Sequence, residues 1–112
     1  VTLGEFAQMV VNGLQIPLSI TAAHFTDVPR GHSAFKYIET LYDYSTQSKR
    51  PFFDFESSDH FKTARAHPEK HVTGVQAVKI LSGLLRQNVS SQLEKDADIT
   101  RGEAAMLIHR FL

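Results

Sequence analysis

The chain has no cysteine, no net charge and no long apolar run, and each absence closes off a class of protein. Without cysteine there is no disulfide framework, no cysteine-ligated zinc and no cysteine nucleophile. Twelve basic side chains offset twelve acidic ones, so no global field steers the chain toward nucleic acid. Any contact with a polyanion must be local. No hydrophobic segment approaches the roughly 20 residues that a membrane-crossing helix needs, so no bilayer span and no membrane partner are expected. The G-x-S-x-G nucleophile elbow and the phosphate-cradling glycine loop are missing as well. Catalysis and a bound cofactor are therefore not expected. There is no initiator methionine and no signal peptide, and the 112 residues read as an excised piece of a longer protein.

What is present is an ordinary globular composition, 42% hydrophobic and 21% charged. A single domain of this length buries roughly two thirds of its unfolded surface and needs no covalent staple. Its most informative content is a phrase that occurs three times: VTLGEFAQMVVNGL from Val1, VTGVQAVKILSGLL from Val72 and ITRGEAAMLIHRFL from Ile99. In each, a β-branched residue precedes a threonine (Thr2, Thr73, Thr100), and Glu5, Gln76 or Glu103 stands three positions later. That spacing is a capping box: the threonine hydroxyl accepts from the N3 amide while the N3 side chain accepts from the cap amide. The residue before each threonine can pack on the N4 side chain, Phe6, Ala77 or Ala104, as a hydrophobic staple. Three boxes, each followed by an apolar stripe, point to a duplicated helical unit.

The expected architecture is all-α, a small helical domain of helix-loop-helix repeats with long irregular connectors. The first helix covers residues 3–12, with Gly13 stopping it in the left-handed conformation. Residues 16–23 read as a connector, and Asp27 as a turn-former ahead of Pro29. Ser33 is a candidate N-cap for a second helix that carries Phe35, Ile38, Leu41 and Tyr42 and ends near Tyr44. Residues 45–58 read as loop with a short extended stretch, and Ser58 or Asp59 as the cap of a short helical turn reaching Ala66. The second boxed helix covers residues 74–87 with Val75, Val78, Leu81 and Leu85 as its stripe. The third carries Ala104, Leu107, Ile108 and Phe111 or Leu112.

These residues resemble the S-layer homology domain, a repeat that joins an F-x-D-V segment and a helix to a loop and a second helix opening with a T-R-A-E type box. Phe25-Thr26-Asp27-Val28, followed by Pro29, Gly31, His32, Ala34 and Phe35, looks like the first half. Thr100-Arg101-Gly102-Glu103-Ala104-Ala105 looks like the second, and residues 1–14 look like the closing helix of a preceding repeat. Residues 25–112 would then form a repeat with an inserted or duplicated helix. Ser33 stands where the family usually has tryptophan, residues 44–51 replace its G-I-x-x-G turn, and Leu3 and Gly74 stand at the box-arginine position. The resemblance implies a non-catalytic cell-surface anchoring module, outside the cell at the wall or S-layer surface. Its partner would be an anionic, often pyruvylated, secondary cell wall polysaccharide. The alternative is a degenerate accessory domain packing against a catalytic domain of the same secreted protein.

Carried over residue by residue, the resemblance nominates Arg101, with Thr100 beside it, as ligand-binding. Arg101 opens its helix, where a cation opposes the positive end of the dipole unless an acid or a ligand answers it. Lys62 and Arg65 are secondary candidates, in a basic patch that also holds His67, Lys70 and His71. Thr2, Glu5, Asp27, Thr73, Gln76 and Glu103 are read as structural. His67 and His71 stand four apart, but Pro68 falls between them and the order is not that of a metalloprotease, so no metal site is expected. Asp54, Glu56 and Asp59 could pair for glycoside hydrolysis, yet their polar loop favours simple solvation. Phe52, Phe53 and Phe55 either close the core or present a patch to another domain.

Overall fold

The computed structural model describes residues 1–58, 63–86 and 96–111. Among them run α1 (Leu3–Gly13), α2 (Phe35–Gln47), β1 (Glu56–Ser58), β2 (Thr63–Arg65), α3 (Gly74–Leu85) and α4 (Arg101–His109). The all-α expectation is thereby corrected, because β1 and β2 form a small antiparallel sheet. Its register pairs Glu56 with Arg65, Ser57 with Ala64 and Ser58 with Thr63.

Residues distant in sequence explain why 63–66 is extended rather than the expected turn of helix. The Thr26 amide donates to the Ala64 carbonyl at 2.9 Å, and the Asp27 carboxylate accepts from the Ala66 amide at 3.0 Å and the His67 amide at 2.8 Å. Three non-local hydrogen bonds thus engage backbone groups that a helix would have used locally. Asp27 is correspondingly more than a local turn-former. The expected cap Asp59 lies outside the described residues.

All three capping boxes form. Glu5, Gln76 and Glu103 donate their amides to Thr2, Thr73 and Thr100 and accept from the threonine amides in return. What the sequence pattern did not reveal is how the three starts meet. The Val72 amide donates to the Val1 carbonyl at 2.9 Å, the Ile99 amide donates to the Val72 carbonyl at 2.9 Å, and the Val1 nitrogen donates to the Ile99 carbonyl at 2.6 Å. The three residues preceding the boxes therefore close a ring of backbone hydrogen bonds. Antiparallel bridges Thr2 to His71 and Thr73 to Asp98 extend it. β-branched residues suit the extended backbone that this ring demands.

The stripes lead inward from the ring. Phe6, Val10, Ile38, Leu41, Val72 and Leu81 are fully buried, each contributing about 1.5–3 kcal/mol of burial. α1 packs on α2 and α4, and α2 on α3. On α3 the buried residues are Gly74, Ala77, Ile80 and Leu81, and the expected stripe residue Val75 points outward instead. The face is set by the ring, which turns the position two after Thr73 toward solvent. On α4, Ala104, Leu107 and Ile108 are buried as expected; Leu112 and Gln87 lie outside the described residues.

Several element ends differ from expectation. Gly13 is not left-handed; Gln15 is, at φ 54°. Gly13 serves close packing, since a Cβ there would meet Ile108 Cγ2 at 2.9 Å. Ser33 does not cap α2. Ala34 occupies that position, and its amide donates to His32 Nδ1 at 3.0 Å. α2 continues three residues past Tyr44 because Ser45 faces the core, where its Oγ accepts from the Phe52 amide at 2.9 Å and the Phe53 amide at 3.0 Å. That one hydroxyl turns the aromatic loop back onto the helix.

Candidate functional site

Turning that loop inward builds a cleft. Phe52 and Phe53 are buried while Phe55 stays 42% exposed, its ring edge-on to Phe25 at 5.4 Å and to Tyr42 at 5.6 Å between centroids. Opposite the loop stand the first two boxes and the segment between Ala66 and Val72. Between them opens a cleft of about 420 Å³, with Leu3, Phe52, Phe53, Val72 and Ile80 forming apolar walls. Asp54, Phe55 and Glu56 border it on the loop side, and His67, Lys70, His71 and Gln76 on the other. An apolar pocket with a few convergent polar groups is the ordinary anatomy of a small-ligand site.

The charges around the cleft are unevenly answered. Asp54 is held by Lys79 at 2.8 Å, and Glu56 by His67 Nε2 at 2.8 Å. Both carboxylates therefore already have a cationic or hydrogen-bonding partner. Among the described residues no carboxylate pairs with Lys70 or His71, and both are exposed. His67 sits at φ 57°, a left-handed conformation that costs a non-glycine residue about 1 kcal/mol or more. The two bonds from Asp27 to the Ala66 and His67 amides hold it there, and so fix where Lys70 and His71 enter the rim.

None of the sequence-nominated ligand residues that the structure describes, Arg101, Thr100 and Arg65, lines this cleft. Arg101 is 72% exposed at the start of α4, with NH1 3.7 Å from Glu5 Oε2, so it marks the seam between the third box and the first. The Thr100 hydroxyl is occupied by the Glu103 amide at 3.1 Å. Arg65 is exposed on β2, opposite Glu56. Lys62 lies outside the described residues. Of the basic patch, His67, Lys70 and His71 reach the cleft and Arg65 is not among its lining. Among the described residues no group of three potential metal ligands occurs.

The first amides of α1 and α3 are engaged by neighbouring chain. Leu3 and Gly4 donate their amides to Lys70 and Pro68 carbonyls at 2.8 and 2.9 Å, and Gly74 donates to Ala97 at 3.1 Å. At the start of α1 the Leu3 and Gly4 amides, and at the start of α3 the Gly74 amide, are therefore already taken by carbonyls. At the first box, the Thr2 amide and then its hydroxyl hold the Glu5 carboxyl below its ordinary pKa, with Arg101 adding a smaller pull. Glu5 is thus an anion ready to partner Arg101. Gln76 serves twice, closing the second box with its side chain and bordering the cleft.

The rim residues Lys70 and His71 were legible as part of a basic patch, but not as neighbours of the phenylalanines. Nothing in the local pattern of residues 52–55 says which ring faces in, since Ser45, seven residues earlier, decides it. No protein-family model, no curated protein and no solved structure matches this chain.

Proposed function

We propose that the chain is a non-catalytic module that docks a cell-surface protein onto an acid-bearing wall polysaccharide. The observation that supports this reading best is the cleft. It sets an aromatic ring, Phe55, and apolar walls against Lys70, His71 and Gln76. A sugar ring offers an apolar face and a ring of hydroxyls, and an acidic substituent offers an oxyanion; these surfaces match the cleft's two kinds of wall. Phe55 takes the stacking role that the family's tryptophan, replaced by Ser33, would have had. Arg101 adds a cation at the neighbouring seam between boxes. The tied state of Asp54 and Glu56 fits binding without hydrolysis.

The test is retention of the chain on purified cell-wall sacculi, with and without chemical removal of the secondary polymer. Retention is expected on intact sacculi and lost on stripped ones. Arg101→Ala and Lys70→Ala/His71→Ala are each expected to weaken retention about tenfold, the worth of one charge-assisted contact. Melting temperature should hardly move, because an exposed pair 3.7 Å apart such as Arg101 with Glu5 is worth at most about 1 kcal/mol. Equal retention on stripped sacculi overturns the reading.

A second reading rests on different residues. Leu18, Ile20 and Met106 are large, apolar and 41–73% exposed, as a module packed against another domain of its parent protein would have them. Under that reading the stripped sacculi make no difference.

A further inference from the structure

Phe52 borders a second, more open depression of about 670 Å³, between the end of α2 and the last turns of α3. Lys49, Arg50, Lys79 and Arg86 line it, and among the described residues no acidic one does. Four cations thus gather in one depression of a chain whose formal charge is zero. Asp54 answers Lys79 at 2.8 Å. Among the described residues no carboxylate pairs with Lys49, Arg50 or Arg86.

The plainest structural reason for such cations is the pair of helix C-termini beside them, and the magnitudes decide against it as a full account. Each helix end carries about half a negative charge, so α2 and α3 together answer about one cation. With Lys79 taken by Asp54, about two positive charges are left unanswered by the helix ends and by any carboxylate among the described residues. Their backbone anchors are defined: the Ser48 Oγ accepts from the Arg50 amide at 3.2 Å and donates to the Arg50 carbonyl at 3.1 Å. Arg86 caps α3 in the left-handed conformation, φ 54°.

We infer that this depression is an anion-binding site for the phosphate or carboxylate groups of an acidic polymer. Two guanidinium groups offer forked donors that match an oxyanion, and Lys49 adds a point charge. The site is joined to the cleft: Phe52 borders both, and the Asp54–Lys79 pair links one lining to the other. An acidic chain seated in the cleft can therefore run on past Phe52 into the basic depression. The inference rests on the polysaccharide reading for the nature of the polymer, and on Lys49, Arg50 and Arg86 alone for the site.

The experiment titrates the whole chain with three probes: inorganic pyrophosphate, poly(glycerol phosphate) and polygalacturonate. Amide and arginine Nε resonances are followed by NMR, and affinities are measured by calorimetry. Pyrophosphate is expected to shift Arg50 and Arg86, and Arg50→Gln/Arg86→Gln is expected to bind the preferred polymer at least about tenfold more weakly with an unchanged melting temperature. The polymer bound more tightly shows whether phosphate or carboxylate is the group recognised. Unchanged affinity in Arg50→Gln/Arg86→Gln overturns the inference while leaving the cleft untouched. Failure of both polymers, with pyrophosphate still shifting Arg50 and Arg86, overturns the polysaccharide reading and keeps the site. Tighter binding of duplex DNA than of either polymer overturns the choice of polymer class.

Discussion

Asp27→Ala is expected to destabilise the protein by about 3 kcal/mol, an effect out of proportion to a residue in a turn. Its two carboxylate oxygens accept separately from Ala66 at 3.0 Å and His67 at 2.8 Å, across 39 and 40 residues of sequence. Hydrogen bonds to a charged group contribute about 1.5–3 kcal/mol each, and partial access of water to the freed amides keeps the sum near the low end. Loss of the bonds also frees His67 from its left-handed conformation, so the rim carrying Lys70 and His71 should lose its position. Asp27→Asn keeps one neutral acceptor and is expected to cost about half as much. Urea denaturation should show a lower midpoint at unchanged slope in both variants. A loss below about 1 kcal/mol in Asp27→Ala would show that the segment is held by something else.

Gly83→Ala is the second large effect, and its sign runs against helix propensity. In an exposed helix the change should stabilise by about 1 kcal/mol. Here the new Cβ would meet Phe52 Cδ1 at 2.1 Å, Cγ at 2.3 Å and Cβ at 2.6 Å. These atoms sit near the root of a buried ring whose own amide is tied to Ser45, so the ring cannot swing aside as a flexible chain end would. Overpacking of this kind costs about 1–3 kcal/mol or more, which exceeds the propensity gain. With three atoms inside 3.0 Å the cost falls at the upper end of that range, and a net loss of about 2 kcal/mol is expected. Gly31→Ala is the control, because a Cβ at Gly31 meets nothing within 4 Å. Displacement of Phe52 should also weaken anion binding in the basic depression that it borders. A Gly83→Ala variant as stable as its parent would mean that Phe52 has room to move.

The local grammar of the chain was readable. Threonine followed three residues later by Glu or Gln names a helix start whatever surrounds it, because both hydrogen bonds of the box are made within four residues. Thr2, Thr73 and Thr100 all behave so. The burial of Phe6, Ala77 and Ala104 follows from the same local register. The errors fall where distant residues decide. The 63–65 strand depends on Thr26, the length of α2 on the loop that Ser45 binds, and the outward turn of Val75 on the closed ring. Gly13 was read for its conformational freedom, when its use is the close approach of Ile108.

The polar interior was equally hidden. Glu39 is 1% exposed and takes both the amide of His24, at 2.9 Å, and its Nδ1, at 2.5 Å. A buried carboxylate needs such partners, but the two stand fifteen positions apart, His24 in a connector and Glu39 inside α2, and no spacing rule joins them. The basic depression escaped notice for a related reason. Lys49 and Arg50 read as a loop break, and Arg86 as the tail of a helix. Only the fold shows that α2 and α3 end beside one another.

Everything in the arrangement of cleft, seam and depression depends on three helix starts being tied together at Val1, Val72 and Ile99. The most direct test is native-state hydrogen exchange at the Val72 and Ile99 amides, each of which donates within the ring at 2.9 Å. Both are expected to exchange only through global unfolding, with opening free energies equal to each other and to the stability measured by urea. Exchange of either amide at the rate of a frayed loop, or opening energies that differ by more than about 1 kcal/mol, would contradict a shared ring.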